Sequence, residues 1–130
     1  MWKRTLMMDQ YRRGWAFRYL REAKAELEAA KKMPYMAPGL ALEAIRKARN
    51  AIYYSLGEPA FIELLLRDEL AKNTHIDDSI LRFLIELEST VEVLSHAEEI
   101  NSDAMMKQAD TLVNVATEFV ETLTQEKYPQ

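Results

Sequence analysis

The stretch MMKQADTLVNVATEFVETL at residues 105–123 decides the fold class. Its apolar residues recur at spacings of four and three, and further apolar residues widen the same face. The recurring residues are Met105, Ala109, Leu112, Ala116, Phe119 and Leu123, widened by Met106, Val113 and Val120. This spacing places them along one stripe of an α-helix, as is typical of a bundle helix. It predicts a helix over about residues 103–126.

The same period continues through the rest of the chain, interrupted by segments rich in Gly, Pro, Asn and Asp. It predicts long helices over 9–32, 40–56 and 77–100 and a short one over 59–71. They are separated by a loop over 33–40, a helix end at Gly57 and polar turns at 73–79 and 101–103. No stretch alternates as a strand would, and short connections favour antiparallel neighbours. We therefore predict one all-α domain over residues 1–130, an antiparallel bundle of four long helices plus one short helix.

The composition excludes several kinds of chemistry. The chain has 130 residues, is 48% hydrophobic, which is enough for one packed core, and contains no cysteine. Disulfides, thiolate nucleophiles and cysteine-bound metals are therefore excluded. No apolar run approaches the roughly 20 residues of a membrane span, and no apolar segment of signal-peptide length opens the chain. We expect a soluble, cytoplasmic protein that does not enter membranes.

Charge is distributed unevenly along the chain. Residues 1–57 contain 12 Lys and Arg against 5 Asp and Glu, whereas residues 58–130 contain 5 against 16. The net charge is therefore +7 for the first part and −11 for the second. A basic surface of this kind attracts phosphate or an acidic partner. The alternative is that the two parts attract each other within one bundle.

The segment RKARNAIYYSL at residues 46–56 lies on the second predicted helix, which separates into two faces. The apolar face holds Ala41, Ala44, Ile45, Ala48, Ala51, Ile52 and Leu56, and the polar face holds Glu43, Arg46, Lys47, Asn50 and Tyr54. Arg49 and Tyr53 fall on the boundary between the faces. Glu43 stands four positions before Lys47, the spacing of a helical ion pair. An amphipathic bundle helix therefore explains the segment without any catalytic chemistry.

Three motifs occur in the order and spacing of a known family. Leu20, Ala23 and Leu27 fit the pattern L-x-x-A-x-x-x-L in the first helix. The second helix carries a Tyr-Tyr pair in AIYY at 51–54, and the last carries ATEFV at 116–120, of the form A-x-x-F-V. Over about residues 11–125 the chain resembles the HEPN superfamily of helical-bundle domains. The resemblance implies a bundle fold, a tendency to dimerise, and contact with RNA or a nucleotide.

Many members of that family are metal-independent ribonucleases, often toxins, and their active-site motif is the feature to compare. It consists of an Arg, usually followed by a polar residue, and a His four to six positions after the Arg. Here Arg49-Asn50 is followed by Tyr54, whose phenol, with a pKa of about 10, accepts protons poorly at neutral pH. Residues 97–130 contain neither Arg nor His. We therefore expect the family's nuclease activity to be absent.

Basic and aromatic residues lie close together near the N-terminus. The basic residues Lys3, Arg4, Arg12, Arg13, Arg18, Arg21 and Lys24 surround Trp2, Tyr11, Trp15 and Phe17. Such a mixture binds single-stranded nucleic acid by charge and stacking. The alternative is that Arg stems cover the rings and pair with acidic residues of the later helices. The candidate residues for binding nucleic acid or a nucleotide are Arg13, Arg21, Arg46, Arg49, Asn50 and Tyr54.

The segment AFIELLLRDEL at residues 60–70 carries apolar residues on nearly every side of a helix. A helix that is apolar all round must be buried on all sides. A subunit interface would cover the part that a small bundle leaves exposed, although burial within one chain is the alternative. The candidate interface residues are Phe61, Ile62, Leu65 and Leu66, and they favour a homodimer.

The two histidines of the chain have ordinary explanations. His96 follows Glu92 and precedes Glu99 at helical spacing, which a glutamate-rich helix produces by chance. His75 lies in the turn beside Asp77 and Asp78, where capping is the expected role. The chain contains no Glu-x-x-His pair, no phosphate-binding loop and no nucleophile motif. We expect no metal, no cofactor and no catalytic residue.

These observations leave two hypotheses about function. The first is a non-catalytic, dimeric module that engages a protein partner or helps to assemble a complex. The second is an RNA- or nucleotide-binding protein, related to toxin–antitoxin systems and with residual ribonuclease activity.

Overall fold

In the computed structural model, residues 2–72, 79–96 and 101–124 are described, with side chains described for 10–69, 71–72, 79–96 and 101–123. These residues form α-helices and one short 3-10 helix, and no strand occurs among them. The helices are α1 (Trp2–Lys32), α2 (Ala37–Leu56), α3 (Pro59–Lys72), α4 (Ser79–Ser95) and α5 (Ser102–Thr124), and the 3-10 helix is Pro34–Met36. The predictions of an all-α fold and of five helices are confirmed.

The helix boundaries differ from the predicted ones in several places. α1 begins at Trp2 rather than at residue 9. The predicted loop over 33–40 is mostly helical. Pro38 lies in the first turn of α2, where backbone N–H groups have no partner within the helix, so a proline, which lacks an N–H, is tolerated there. α4 ends at Ser95 rather than at residue 100. The turn at 73–78 and the predicted ends at residues 77 and 126 lie outside the described residues.

Two predicted helix ends are confirmed by their hydrogen bonds. α2 ends before Gly57, whose N–H still donates to the carbonyl of Tyr53 at 2.9 Å. At the start of α5, the Asn101 side chain accepts a hydrogen bond from the Ala104 N–H at 3.1 Å, as an N-cap residue does. Both signals were local, so they could be read without knowledge of the tertiary structure.

The core forms where α1, α2 and α5 pack against one another. Small side chains dominate the facing surfaces of α1 and α2, and they let the two helices approach closely. The buried alanines are Ala16, Ala23 and Ala30 of α1 and Ala41, Ala44, Ala48 and Ala51 of α2. Leu20, Ile45 and Ile52 fill the space between them. The buried residues of α2 match the apolar face predicted for it, except that Leu56 is only partly buried.

The buried stripe of α5 is rotated from the predicted one. Its fully buried residues are Met105, Ala109, Val113, Ala116 and Val120. Leu112 and Phe119, two of the recurring residues of the predicted stripe, are only partly buried, and Leu123 is 46% exposed. The spacing pattern could not fix the centre of the stripe because apolar residues occupy adjacent positions along this helix.

α3 and α4 complete the bundle at its periphery. α3 packs on α2 and α4, and it contributes Leu66 to the core. A groove of about 690 Å³ separates α4 from α5, with Ile45, Leu87 and Leu112 among its lining residues. Beside it, the rings of Phe83 and Phe119 stack with their centroids 6.2 Å apart. Among the described residues, no helix combines the length and the hydropathy that crossing a membrane requires.

Candidate functional site

Glu88 is the one charged side chain that is buried among the described residues, with 1% of its surface exposed. The Tyr53 hydroxyl donates to its Oε2 at 2.6 Å. Arg67 Nε donates to its Oε1 at 3.4 Å, and Arg49 Nη1 lies 3.5 Å from Oε2. We call these four residues the Glu88 cluster. It joins α2, α3 and α4 through one carboxylate.

Helical spacing explains how the Glu88 cluster forms. Tyr53 follows Arg49 by one turn on α2, and the Arg49 guanidinium lies 5.8 Å from the centroid of the Tyr53 ring. On α4, Glu88 falls on the same stripe as the buried residues Leu84 and Val91. The sequence interpretation missed Glu88 and Arg67. The signal that was available is the position of a carboxylate on an apolar helical stripe.

The charges of the Glu88 cluster are balanced within the cluster. Burial, and then the hydrogen bond to Glu88, raise the pKa of the Tyr53 phenol. The phenol therefore stays protonated and acts as a donor. Two guanidinium groups balance the single carboxylate, so the buried charge is compensated. The cluster contains no activated nucleophile and no exposed proton acceptor, and we assign it no chemistry.

The residues predicted to bind phosphate on α2 are engaged within the protein. Arg46 donates to Glu43 Oε1 at 2.6 Å and to Ser95 Oγ at 3.0 Å. Arg49 Nε donates to Asn50 Oδ1 at 3.4 Å, and its Nη1 faces Glu88. The guanidinium groups and the Asn50 amide oxygen therefore already have partners.

The expected ion pair between Glu43 and Lys47 does not form. Glu43 instead pairs with Arg46, and Lys47 reaches across to Glu22, at 3.2 Å, and to Glu26 on α1. The hydrogen bond to Glu26 is the main reason that the pKa of Lys47 is raised. The helical spacing was correct, but a partner on the neighbouring helix replaced the local one.

Tyr54 belongs to a cluster of aromatic rings on α1 and α2. Its ring stacks on Trp15 and Tyr19, with centroids 6.0 and 5.5 Å away. Tyr11 meets Trp15 edge-on at 6.4 Å, and the Arg18 guanidinium lies 4.7 Å from the Trp15 ring centroid. We call Tyr11, Trp15, Tyr19 and Tyr54 the aromatic ladder. Tyr54 therefore has a packing role on the surface of the bundle.

The other predicted basic residues lie on α1. Arg13 is half-buried and Arg21 is exposed. Arg21 makes no hydrogen bond or ion pair with any residue that the structure describes. The side chains of Trp2, Lys3 and Arg4, which belong to the same predicted surface, lie outside the described side chains.

The outward surface of α3 exposes large apolar side chains. Phe61 is 60% exposed, Leu64 67% and Leu65 47%. We call these three residues the α3 face. Of the other predicted interface residues, Leu66 is buried in the core and Ile62 is partly buried against it. Leu64, which was not among the predicted interface residues, is the most exposed of the three.

No group of three or more His, Asp or Glu side chains is placed to hold a metal ion among the described residues. His96, the residue after the end of α4, has its Nε2 3.3 Å from Glu92 Oε1, and both side chains are exposed. Glu99, the other predicted neighbour of His96, and the turn that contains His75 lie outside the described residues.

Comparison of the chain with protein-family models, with curated proteins and with solved structures gave no match.

Proposed function

We propose that this protein is a non-catalytic, HEPN-like assembly module that acts in the cytoplasm as a homodimer. The observation that carries the proposal is the α3 face, where Phe61, Leu64 and Leu65 are exposed together. A patch of contiguous large apolar side chains on a small protein marks an interaction surface.

The contacts between helices support the antiparallel bundle that this proposal includes. Trp15, in the first half of α1, contacts Tyr54, near the end of α2. Glu22 and Glu26, further along α1, contact Lys47, which precedes Tyr54 on α2. The order of these contacts supports opposite directions for α1 and α2.

The internal engagement of the α2 cations supports a non-catalytic role. A ribonuclease site needs cations that are free to meet phosphate and a group that moves protons near neutral pH. Arg46 and Arg49 already have carboxylate partners, and Tyr54 is held in the aromatic ladder. The second hypothesis, RNA binding at these residues with residual cleavage, has no observation in its favour.

The partner of the α3 face is best supplied by a second copy of the same chain. A two-fold axis beside α3 would bring the same apolar residues of both copies together. Such a dimer is closed, because the apolar residues of each copy are covered by those of the other. The cation and the acids that flank the face already pair within α3, Lys72 with Asp68 and Glu69. Lys72 therefore offsets one of the two acidic charges beside the face.

Sedimentation equilibrium at micromolar concentration tests this proposal. The wild-type protein is expected to be a dimer, and Leu64→Asp a folded monomer, because the new carboxylate would be buried without a partner. Val93→Asp is the matched control, since Val93 on α4 is 66% exposed and the charge change is the same. A wild-type monomer, or equal dissociation in the two variants, would contradict the proposal.

A further inference from the structure

The groove between α4 and α5 reaches into the core of the bundle. No Cα atom of α4 lies within 8 Å of a Cα atom of α5, so the two described helices leave a space between them. Ile45 of α2 and Leu87 of α4 both line this space, although only 1% and 5% of their surfaces are exposed. The volume of about 690 Å³ falls within the range of roughly 300–1,000 Å³ that is usual for small-molecule sites.

The apolar lining of the groove comes from three helices. It consists of Ile45, Phe83, Leu87, Ala104, Leu112 and Val115. Phe83 marks one end of the groove, because its ring stacks on Phe119, which follows Lys107 by twelve positions on α5. At a rise of about 1.5 Å per residue, this end lies roughly 18 Å along the helix axis from Lys107. The groove is therefore long enough for an extended alkyl chain.

Three polar side chains of α5 line the same groove, and they are Lys107, Gln108 and Thr111. Thr111 follows Lys107 by four positions and Gln108 by three, so the three side chains lie on one side of the helix. None of them makes a hydrogen bond or an ion pair with any residue that the structure describes. Together they offer an ammonium, an amide and a hydroxyl to one group at the edge of the groove.

Lys107 lines the groove although acids stand at helical pairing distance from it. Asp103 precedes it by four positions and Asp110 follows it by three, but neither pairs with it and neither lines the groove. Glu86 is the one acid among the described lining residues. It follows Phe83 by three positions on α4, so it lies toward the end of the groove that is opposite to Lys107. The Lys107 end is therefore suited to an anionic group.

We propose that this groove binds a small amphiphile with an alkyl chain and a carboxylate head, of the fatty-acid class. The chain lies along Leu87, Leu112 and Phe83. The carboxylate accepts hydrogen bonds from the Lys107 ammonium, the Gln108 amide and the Thr111 hydroxyl. The chain supplies most of the affinity, because each buried CH₂ group contributes a similar favourable amount. The site lies apart from the α3 face, so it does not depend on self-association.

The test is isothermal titration calorimetry of the full chain with decanoate, decanol and decylammonium, each below the concentration at which it forms micelles. The three probes share one chain and differ only in the head. Decanoate is expected to bind most tightly and decylammonium most weakly, because the head lies beside Lys107. Octanoate, which has two CH₂ groups fewer, is expected to bind roughly tenfold more weakly than decanoate.

Variants separate the chain from the head. Ala104→Trp places a large ring in the groove one turn from Lys107 and is expected to abolish the binding of all three probes. Ala25→Trp, at an exposed alanine of α1, is its matched control. Lys107→Gln is expected to weaken decanoate about fivefold and to leave decanol unchanged. Lys32→Gln, at an exposed lysine of α1, is the control for the loss of charge.

Amide NMR shifts locate the bound probe. Decanoate is expected to shift the amides of Leu112 and Val115 and to leave those of Leu64 and Leu65 unchanged. Shifts confined to the α3 face would overturn the proposal, because the amphiphile would then bind only the proposed dimer surface.

Three further results would overturn the proposal. The first is no binding of decanoate, and a leucine–lysine helical peptide that bound wild type but not Ala104→Trp would then assign the groove to a partner helix. The second is equal binding of decanoate and decylammonium, which would remove the role of Lys107. The third is an equal loss of affinity in Ala104→Trp and Ala25→Trp, with both variants folded by circular dichroism.

Discussion

At the scale of single residues, Glu88 is the feature that most constrains the structure. A buried carboxylate is costly unless donors surround it. Tyr53, Arg49 and Arg67 supply these donors from two other helices. The arrangement therefore fixes the positions of α2, α3 and α4 relative to one another. Loss of the Tyr53 hydroxyl would leave Glu88 Oε2 with only the Arg49 guanidinium, 3.5 Å away.

Tyr53→Phe is expected to lower the free energy of unfolding by about 1–3 kcal/mol, because Glu88 Oε2 loses its hydrogen-bond donor in a buried site. Urea denaturation at pH 7 measures the change. Tyr11→Phe is the matched control, since the Tyr11 ring is largely exposed and the substitution removes the same hydroxyl. Equal values for the two variants would show that the Tyr53 hydroxyl contributes nothing.

The same substitution has a pH dependence with a defined sign. Because the pKa of Tyr53 is raised in the folded protein, its contribution to stability is full below the pKa of the unfolded chain, about 10. Above that pH the phenol ionises more readily in the unfolded chain, and the contribution falls. The difference between wild type and Tyr53→Phe should therefore shrink between about pH 9 and pH 11. A constant difference over this range would contradict the assignment.

At the scale of elements, α3 is the helix whose two sides differ most in burial. Leu66 anchors it in the core, and Arg67 ties it to α4 through Glu88 and Glu92. Its opposite side is the α3 face, which no other described part of the chain buries. α3 is therefore positioned by one side and available on the other.

Leu66→Ala is expected to lower the free energy of unfolding by about 2–5 kcal/mol, because it removes a buried side chain and leaves a cavity. Leu65→Ala is the matched control, since Leu65 is the adjacent residue and is 47% exposed. In the monomeric Leu64→Asp background, Leu65→Ala should change stability by less than about 0.5 kcal/mol. Urea denaturation of both variants in that background measures the difference. Similar losses of stability would contradict the burial of Leu66 and the exposure of Leu65.

The positions of some helices could be predicted from the sequence alone. Helical periodicity located α1, α2 and α5 because their apolar stripes are long, and local chemistry located Gly57 and Asn101. The sequence predicted a loop at residues 33–40 because two prolines and a glycine lie there. In the structure, Pro38 and Gly39 lie in the first turn of α2. Which of several apolar neighbours faces inward depends on the packing of other helices, as the rotated stripe of α5 shows.

The candidate site was less predictable than the fold. Arg49 was identified, but its partner Glu88 is 39 positions away in the sequence, and no local spacing connects them. For residues 60–70 the sequence left two possibilities open, a subunit interface and burial within one chain. The division into Leu66 inside and Leu64 outside required the tertiary structure.

At the scale of the whole molecule, the uneven charge is only partly used inside the bundle. Arg49 and Glu88 join the basic part of the chain to the acidic part. Arg18 and Lys31 pair instead with Glu22 and Glu28 on their own helix. Internal attraction therefore accounts for part of the asymmetry, while Arg21 of α1 stays exposed.

The central claim is that two copies of the chain meet through the α3 face, and disulfide cross-linking tests it most directly. The chain contains no cysteine, so each engineered thiol would be unique. Phe61→Cys, Leu64→Cys and Leu65→Cys sample the face, and Val93→Cys, on exposed α4, is the control. After mild oxidation at micromolar concentration, we predict a covalent dimer for at least one α3 position and monomer for the control. Monomer at all three α3 positions, or equal dimer yields at Val93→Cys, would contradict the account.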